Sequence, residues 1–304
     1  MKDKLLSQVT LVEKIASMSK AARMLHNPAK YIFAILYRLT AYRLFKKEIL
    51  VKATLFYGKT MQVALPAATD IYLTGGKSHI SEIRLTKYLI KHLTESAVFL
   101  DIGAHYGFFT LLANEIITTG KVYAFEPSGN TFAILQSNTA EKQTIQIFNK
   151  AITSKSMLLE FYEFDNLHSE YNTFNAAQFE HEAWFKNSTP VLHTVEAISV
   201  DDFCKSEKIS PDFIKIDAEG YENEVIKGAQ LILTKDTGKP IIIMEYVEPG
   251  RNNRPHREAY KQLQQWGYQC FVIDNNGNPV PQNNIDDYLI SNNLESDNLV
   301  FMAG

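Results

Sequence analysis

VFLDIGAHYGFFT, residues 98–110, joins a short apolar run to a carboxylate at Asp101, small residues at Gly103, Ala104 and Gly107, and an apolar segment of helical character. A run of that length ending in glycines reads as a buried strand that turns sharply into a helix. Glycine permits the tight turn and lets a ligand approach the backbone. The glycines do not follow the GxGxxG spacing of a pyrophosphate-binding turn, and a carboxylate just before them would repel a pyrophosphate. Asp101 suits a cationic amino group instead, met directly or through water. Backbone amides of the turn, from Gly103 through Ala104 and His105 to Gly107, suit a carboxylate.

Downstream of this turn, apolar runs alternate with helical patterns. The runs are AVFLDI (97–102), KVYAFE (121–126), IQIFNKAI (145–152), DFIKID (212–217) and PIIIMEYV (240–247). Helical stretches over Phe108–Ile117, Ser128–Asn138, Glu219–Leu233 and Pro255–Trp266 fill the gaps, which is the signature of βα units and a parallel sheet. YQCFVID, an NNGNP turn and NLVFMA then read as two final strands. Five βα strands followed by a hairpin-like pair predict an α/β, Rossmann-like fold whose seven-stranded sheet is mostly parallel, with an antiparallel last strand. Residues 165–190 form a polar and aromatic insertion placed where a substrate-covering loop would sit. Its Tyr171, Phe174, Phe179 and Trp184 suit stacking on a ring, and core packing accounts for them as readily.

Upstream, residues 1–48 carry helical spacing, with Ile32, Ile35, Leu36, Leu39 and Tyr42 on one stripe. Residues 50–73 turn toward alternation, and Gly58-Lys59 sits where a hairpin turn would, giving a lid or edge. A helix from Ser81, SEIRLTKYLIKHL, leads into the first core strand. We therefore divide the chain into an N-terminal helical and hairpin extension over 1–80 and a main domain over 81–304.

Bulk properties bound the function. The 304 residues, 45% hydrophobic, are enough for one full α/β core and an extension. With 31 basic against 34 acidic side chains, the net charge of −3 gives no general reason to bind nucleic acid. Cys204 and Cys270 stand far apart with no metal-ligand spacing, so free buried thiols in a reducing cytoplasm are expected. The N-terminus lacks the features of a secretory signal. Residues 31–47 are aromatic and basic but broken by Arg38 and Arg43, too soon for a spanning helix. Such a segment suits either peripheral contact with an anionic membrane or packing on its own domain or a partner subunit. An oligomer is compatible with this reading.

Candidate ligand residues cluster at the predicted carboxyl ends of the strands, where open α/β sheets bind ligands. Glu126 ends the second strand, placed to grip two ribose hydroxyls, although capping the helix near Ser128 would also explain it. Asn149 and Ala151 follow the third strand, the first for an adenine edge and the second leaving room for the ring. The fourth strand delivers Lys215 and Asp217, with Glu219 and Glu222 opening the next helix, an arrangement that helix-dipole preference alone also produces. An amino-acid tail, a ribose and an adenine together describe S-adenosylmethionine.

DIGAHYGFFTLLA, VYAFEPSG, FNKAI, VDDF, IKIDAEGYENEVIKGA and IIIMEY, in this order over about 95–250, resemble the FkbM-type methyltransferase family. The resemblance implies a class I methyltransferase fold, S-adenosylmethionine as donor and commonly a hydroxyl oxygen as acceptor. It carries over Asp101, Gly103, Glu126 and Asp217 as site residues. The family pattern usually has Asn where this chain has His105, which is assigned contact with the cofactor loop only.

The mechanism expected from these residues has Asp217 orienting or deprotonating the acceptor hydroxyl, supported by Glu219, Glu222 or Glu245. Its variant holds Mg2+ among Asp217, Glu219 and Glu245. The acceptor is expected to be a sugar or glycan hydroxyl or a small metabolite. The competing readings are a non-catalytic docking module at a membrane or protein partner, and an NAD-dependent oxidoreductase using the same crevice. Cofactor titration separates all three.

Overall fold

The computed structural model describes residues 1–174, 184–251 and 253–304. Helices α1 (Lys2–Ser17), α2 (Lys20–His26) and α3 (Pro28–Tyr37) lead through a π-helical turn, Arg38–Tyr42, into α4 (Arg43–Phe45). Strands β1 (Ile49–Thr54) and β2 (Thr60–Leu65) follow, then α5 (Thr69–Thr74) and α6 (Ile80–His92). The alternating part comprises β3 (Val98–Ile102), α7 (Phe108–Ile116), β4 (Lys121–Phe125), α8 (Gly129–Thr139) and β5 (Ile145–Phe148). Next come β6 (Ala151–Ile152), β7 (Met157–Glu163), β8 (Val191–Ile198), α9 (Val200–Glu207), β9 (Phe213–Ile216), α10 (Glu222–Lys227), α11 (Gln230–Thr234) and β10 (Ile241–Val247). The chain closes with α12 (Arg254–Gln265), β11 (Tyr268–Ile273), β12 (Pro279–Pro281), α13 (Ile285–Ser291) and β13 (Ser296–Ala303).

The main sheet runs β5-β4-β3-β9-β10-β13-β11-β12. From β5 to β10 neighbouring strands are parallel, while β13 inserts antiparallel between β10 and β11. This is the expected arrangement with its antiparallel last strand, corrected in count to eight. The extra strand is β12, which the NNGNP turn folds back onto β11, with Gly277 at φ +79° in the bend. Residues 145–152 are not one strand either. β6 leaves the main sheet to join a second, three-stranded sheet, β6-β8-β7, whose antiparallel β7–β8 pair carries the polar and aromatic insertion. The single helix expected over Glu219–Leu233 is two, separated at Gly228, where a Cβ would lie 2.1 Å from the Thr153 carbonyl oxygen.

Strand alternation divides the interior. On β3, Phe99 joins a core with Leu89, Leu112 and Val122, while Leu100 and Ile102 face the opposite core with Phe125, Phe203 and Met244. The first core also takes Leu5 and Val9 of α1 and Ala53, Met61 and Val63 of the hairpin. The hairpin is thus an edge layer packed into the core, not a lid. The stripe read on residues 32–42 divides as well. Tyr42 is buried, but Ile32, Ile35, Leu36 and Leu39 face outward, so this face does not pack on its own domain. Both cysteines are buried and free.

Candidate active site

The turn after β3 is shaped by contacts that only glycine allows. The amides of Gly103 and Ala104 both donate to the Phe125 carbonyl at 3.0 Å, tying the loop to the end of β4. Gly103 has φ +74°, and a Cβ on it would fall 1.9 Å from the carbonyl oxygen of Asp217. Gly107, at φ +92°, caps the start of α7. His105 is also left-handed, at φ 50°, and its ring nitrogen Nε2 meets Ser169 Oγ at 3.2 Å.

Gly103, His105, Glu126, Ala151, Asp217, Glu219 and Glu245 line one cavity of about 570 Å³ at the carboxyl edge of the sheet. That lies within the range of small-molecule sites. Four expected cofactor contacts lie outside its wall. Ala104 and Gly107 act behind the loop, through the backbone. Asn149 is exposed, and its amide donates to the carbonyls of Glu126 and Pro127, bracing the exit of β4.

Asp101 is the principal correction. Its side chain shares the face of β3 with Phe99, is fully buried, and does not itself line the cavity, although its neighbour Lys215 does. Oδ2 accepts from Thr110 at 2.6 Å and Oδ1 lies 3.3 Å from the Lys215 ammonium. Asp101 therefore meets the cavity wall through Lys215. It acts on Lys215, its direct register partner on β9. The ammonium also reaches the Gly103 carbonyl at 3.3 Å and Asp217 at 3.4 Å, binding the loop to the carboxyl end of β9. Burial works against the charge on Lys215, but Asp101 and Asp217 outweigh it and hold the amine above the ordinary lysine range.

Glu126 is buried at the cavity wall, where Oε2 accepts from the His105 amide and Oε1 from the Ser128 amide, each at 2.9 Å. Each carboxylate oxygen has a second lone pair, so the group can still accept from two hydroxyls. Its pKa is raised to about 7, because burial, with smaller help from Glu163 and Asp217, outweighs the downward pull of the two amides. In the same cavity, Asp217, Glu219 and Glu245 bring one carboxylate oxygen apiece within 4.8 Å of one another. Glu245 is raised to about 7 by burial and next by Asp217. Glu222 departs from its expected supporting role. It is buried, and its Oε1 accepts from the amides of Ala218 and Gly220, so it builds the loop that presents Asp217 and Glu219.

His256, absent from the sequence reading, lines the cavity from the first turn of α12. Its Nδ1 donates to the Glu245 carbonyl at 3.0 Å and lies 3.5 Å from Glu222 Oε2. The signal was available, since the loop after β10 opens at the same carboxyl edge as those after β3 and β9. Phe174 and Trp184 of the insertion line the cavity together with Phe161. The side chain of Tyr171 and the whole of Phe179 lie outside the described residues.

The strand order and this cavity define a class I methyltransferase fold. Residues 101–270 match the methyltransferase FkbM domain, and the chain belongs to that family. Among curated proteins it is similar to "Hexuronic acid methyltransferase AglP" of Haloferax volcanii, 26% identical over 144 residues, covering 47% of this chain and 54% of that protein. It is also similar to "2-O-methyltransferase NoeI" of Sinorhizobium fredii, 23% identical over 178 residues, covering 54% of this chain and 70% of that one. The crystal structure of methyltransferase FkbM from Methylobacillus flagellatus aligns at 14% identity with a TM-score of 0.45, covering 78% of this chain and 53% of that one. The chain thus spans about half the length of the Haloferax and Methylobacillus proteins.

Proposed function

We propose that this chain is an S-adenosylmethionine-dependent O-methyltransferase acting on a sugar or glycan hydroxyl. One observation carries the reading. Glu126, with lone pairs to spare, and the Gly103 loop line the same cavity as three clustered carboxylates, Asp217, Glu219 and Glu245. Glu126 would take the ribose hydroxyls, the loop amides the amino-acid carboxylate, and Ala151 and Ile152 the flat adenine. The bound donor supplies a methyl group already activated on a sulfonium.

The protein's own task is therefore alignment and proton removal. Asp217 orients the acceptor hydroxyl and takes its proton at a carboxylate oxygen. Lys215 offsets the charge of Asp217 from below, and Glu219 and Glu245 complete the polar wall. Phe174 and Trp184 offer faces on which a sugar ring can stack. The sugar class is supported by the name of the Haloferax relative, a hexuronic acid methyltransferase, and transfer to oxygen by that of the Sinorhizobium relative, a 2-O-methyltransferase. A cytoplasmic location is supported by the two free buried thiols.

The test is Asp217→Asn. Turnover should fall at least a thousandfold, while calorimetry with S-adenosylhomocysteine shows affinity within about threefold of wild type. Unchanged turnover removes the role from Asp217, and no heat with either the donor or its demethylated product removes the reading. The three close carboxylates also favour a metal-assisted variant holding Mg2+ at Asp217, Glu219 and Glu245. Loss of turnover in a chelator and its return with Mg2+ would establish that variant.

A further inference from the structure

We infer that residues 14–47 form a docking surface for an anionic lipid bilayer. The whole chain carries a net charge of −3, yet this segment, flanked by Glu13 and Glu48, holds eight Lys or Arg residues and no Asp or Glu. Six of these cations, Lys14, Lys20, Arg38, Arg43, Lys46 and Lys47, are exposed. Large apolar side chains stand in the open among them. Leu25 is 78% exposed, Leu44 74% and Phe45 72%, with Leu36 and Leu39 more than half exposed. Such a run of apolar surface on a water-facing helix calls for a partner.

Charge and shape select that partner. No helix among the described residues is long and apolar enough to cross a membrane, so the segment would lie at the surface. A second copy meeting this face with its own would bring like charge against like charge. A nucleic acid would satisfy the cations but leave the leucines and Phe45 in water. A bilayer with anionic headgroups satisfies both, because apolar side chains enter the acyl boundary while lysine and arginine stay at the phosphate level.

The surface is joined to the site. Tyr42, at the end of the π-helical turn, accepts from the Leu167 amide at 3.0 Å, and Lys46 lies 3.9 Å from Asp165. These contacts hold the 3-10 segment Asn166–Tyr171, whose Ser169 lines the cavity.

Vesicle flotation of the full chain tests the proposal without requiring activity. The protein should float with vesicles of phosphatidylcholine and phosphatidylglycerol in equal parts, stay behind with phosphatidylcholine alone, and be released by high salt. Leu44→Ser with Phe45→Ser, and separately Arg43→Glu with Lys47→Glu, should each lower partitioning by roughly tenfold or more. All four side chains are exposed, so thermal unfolding should match wild type in both variants. Absence of binding to the mixed vesicles, equal binding to neutral ones, or indifference to both variants would overturn the inference. So would a dimer in analytical ultracentrifugation that the Leu44→Ser, Phe45→Ser variant abolishes.

Discussion

Lys215 and Asp101 share a buried ion pair whose partners depend on each other. Breaking such a pair from one side leaves a bare charge in the interior, so Lys215→Met should cost about 3 to 5 kcal/mol, read by denaturant unfolding. Gly103→Ala should also destabilise, by about 2 kcal/mol or more, because it combines a left-handed φ with a Cβ 1.9 Å from the Asp217 carbonyl oxygen. Glu126 gives a pH signature. Its pKa in the fold, about 7, lies above the ordinary 4.5, so the fold favours the protonated form. The stability it contributes is complete below 4.5 and is lost as pH rises through 7. Thermal unfolding of wild type should decline across that window more steeply than that of Glu126→Gln. Donor binding has the opposite sign, since ribose hydroxyls donate best to the ionised carboxylate. Affinity should tighten several-fold from pH 6 to pH 8, and Glu126→Gln should flatten the curve and weaken binding about tenfold or more.

At the scale of elements, the β7–β8 pair flanks the insertion, and Phe174 and Trp184 of that insertion line the cavity. Phe174 and Trp184 replaced singly by Ala should raise the acceptor KM about threefold to tenfold while donor affinity holds, as steady-state kinetics and calorimetry would show. The βα units were legible because each strand is a short apolar run ending at a turn signal. The glycine turn and Glu126 were legible for the same reason. The direction of Asp101 was not. It follows from period-two alternation, which puts Asp101 with Phe99, whereas a carboxylate beside a glycine turn equally suits a ligand. Asn149 has a local use that no spacing reveals, since its amide donates to two carbonyls at the end of β4. The second sheet escaped because β6 is only two residues long and pairs with a strand some 40 positions later.

Over the whole molecule, α1 and the hairpin share a core with α6, β3 and α7. We propose 1–80 as an extension in sequence that serves as a structural layer of the 81–304 domain. Deletion of residues 1–80 should uncover Leu85 and Leu89, giving an aggregating product, whereas Val9→Ala alone should cost about 1 to 2 kcal/mol in urea unfolding. The acceptor's identity stayed beyond the sequence because recognition is spread over surfaces with no fixed code. The uneven placement of charge has a practical corollary. Near its sequence isoelectric point of about 6.3 the protein is neutral only as a sum. Its cationic end and its acidic remainder should make it adhere to cation-exchange and anion-exchange resins alike at low ionic strength.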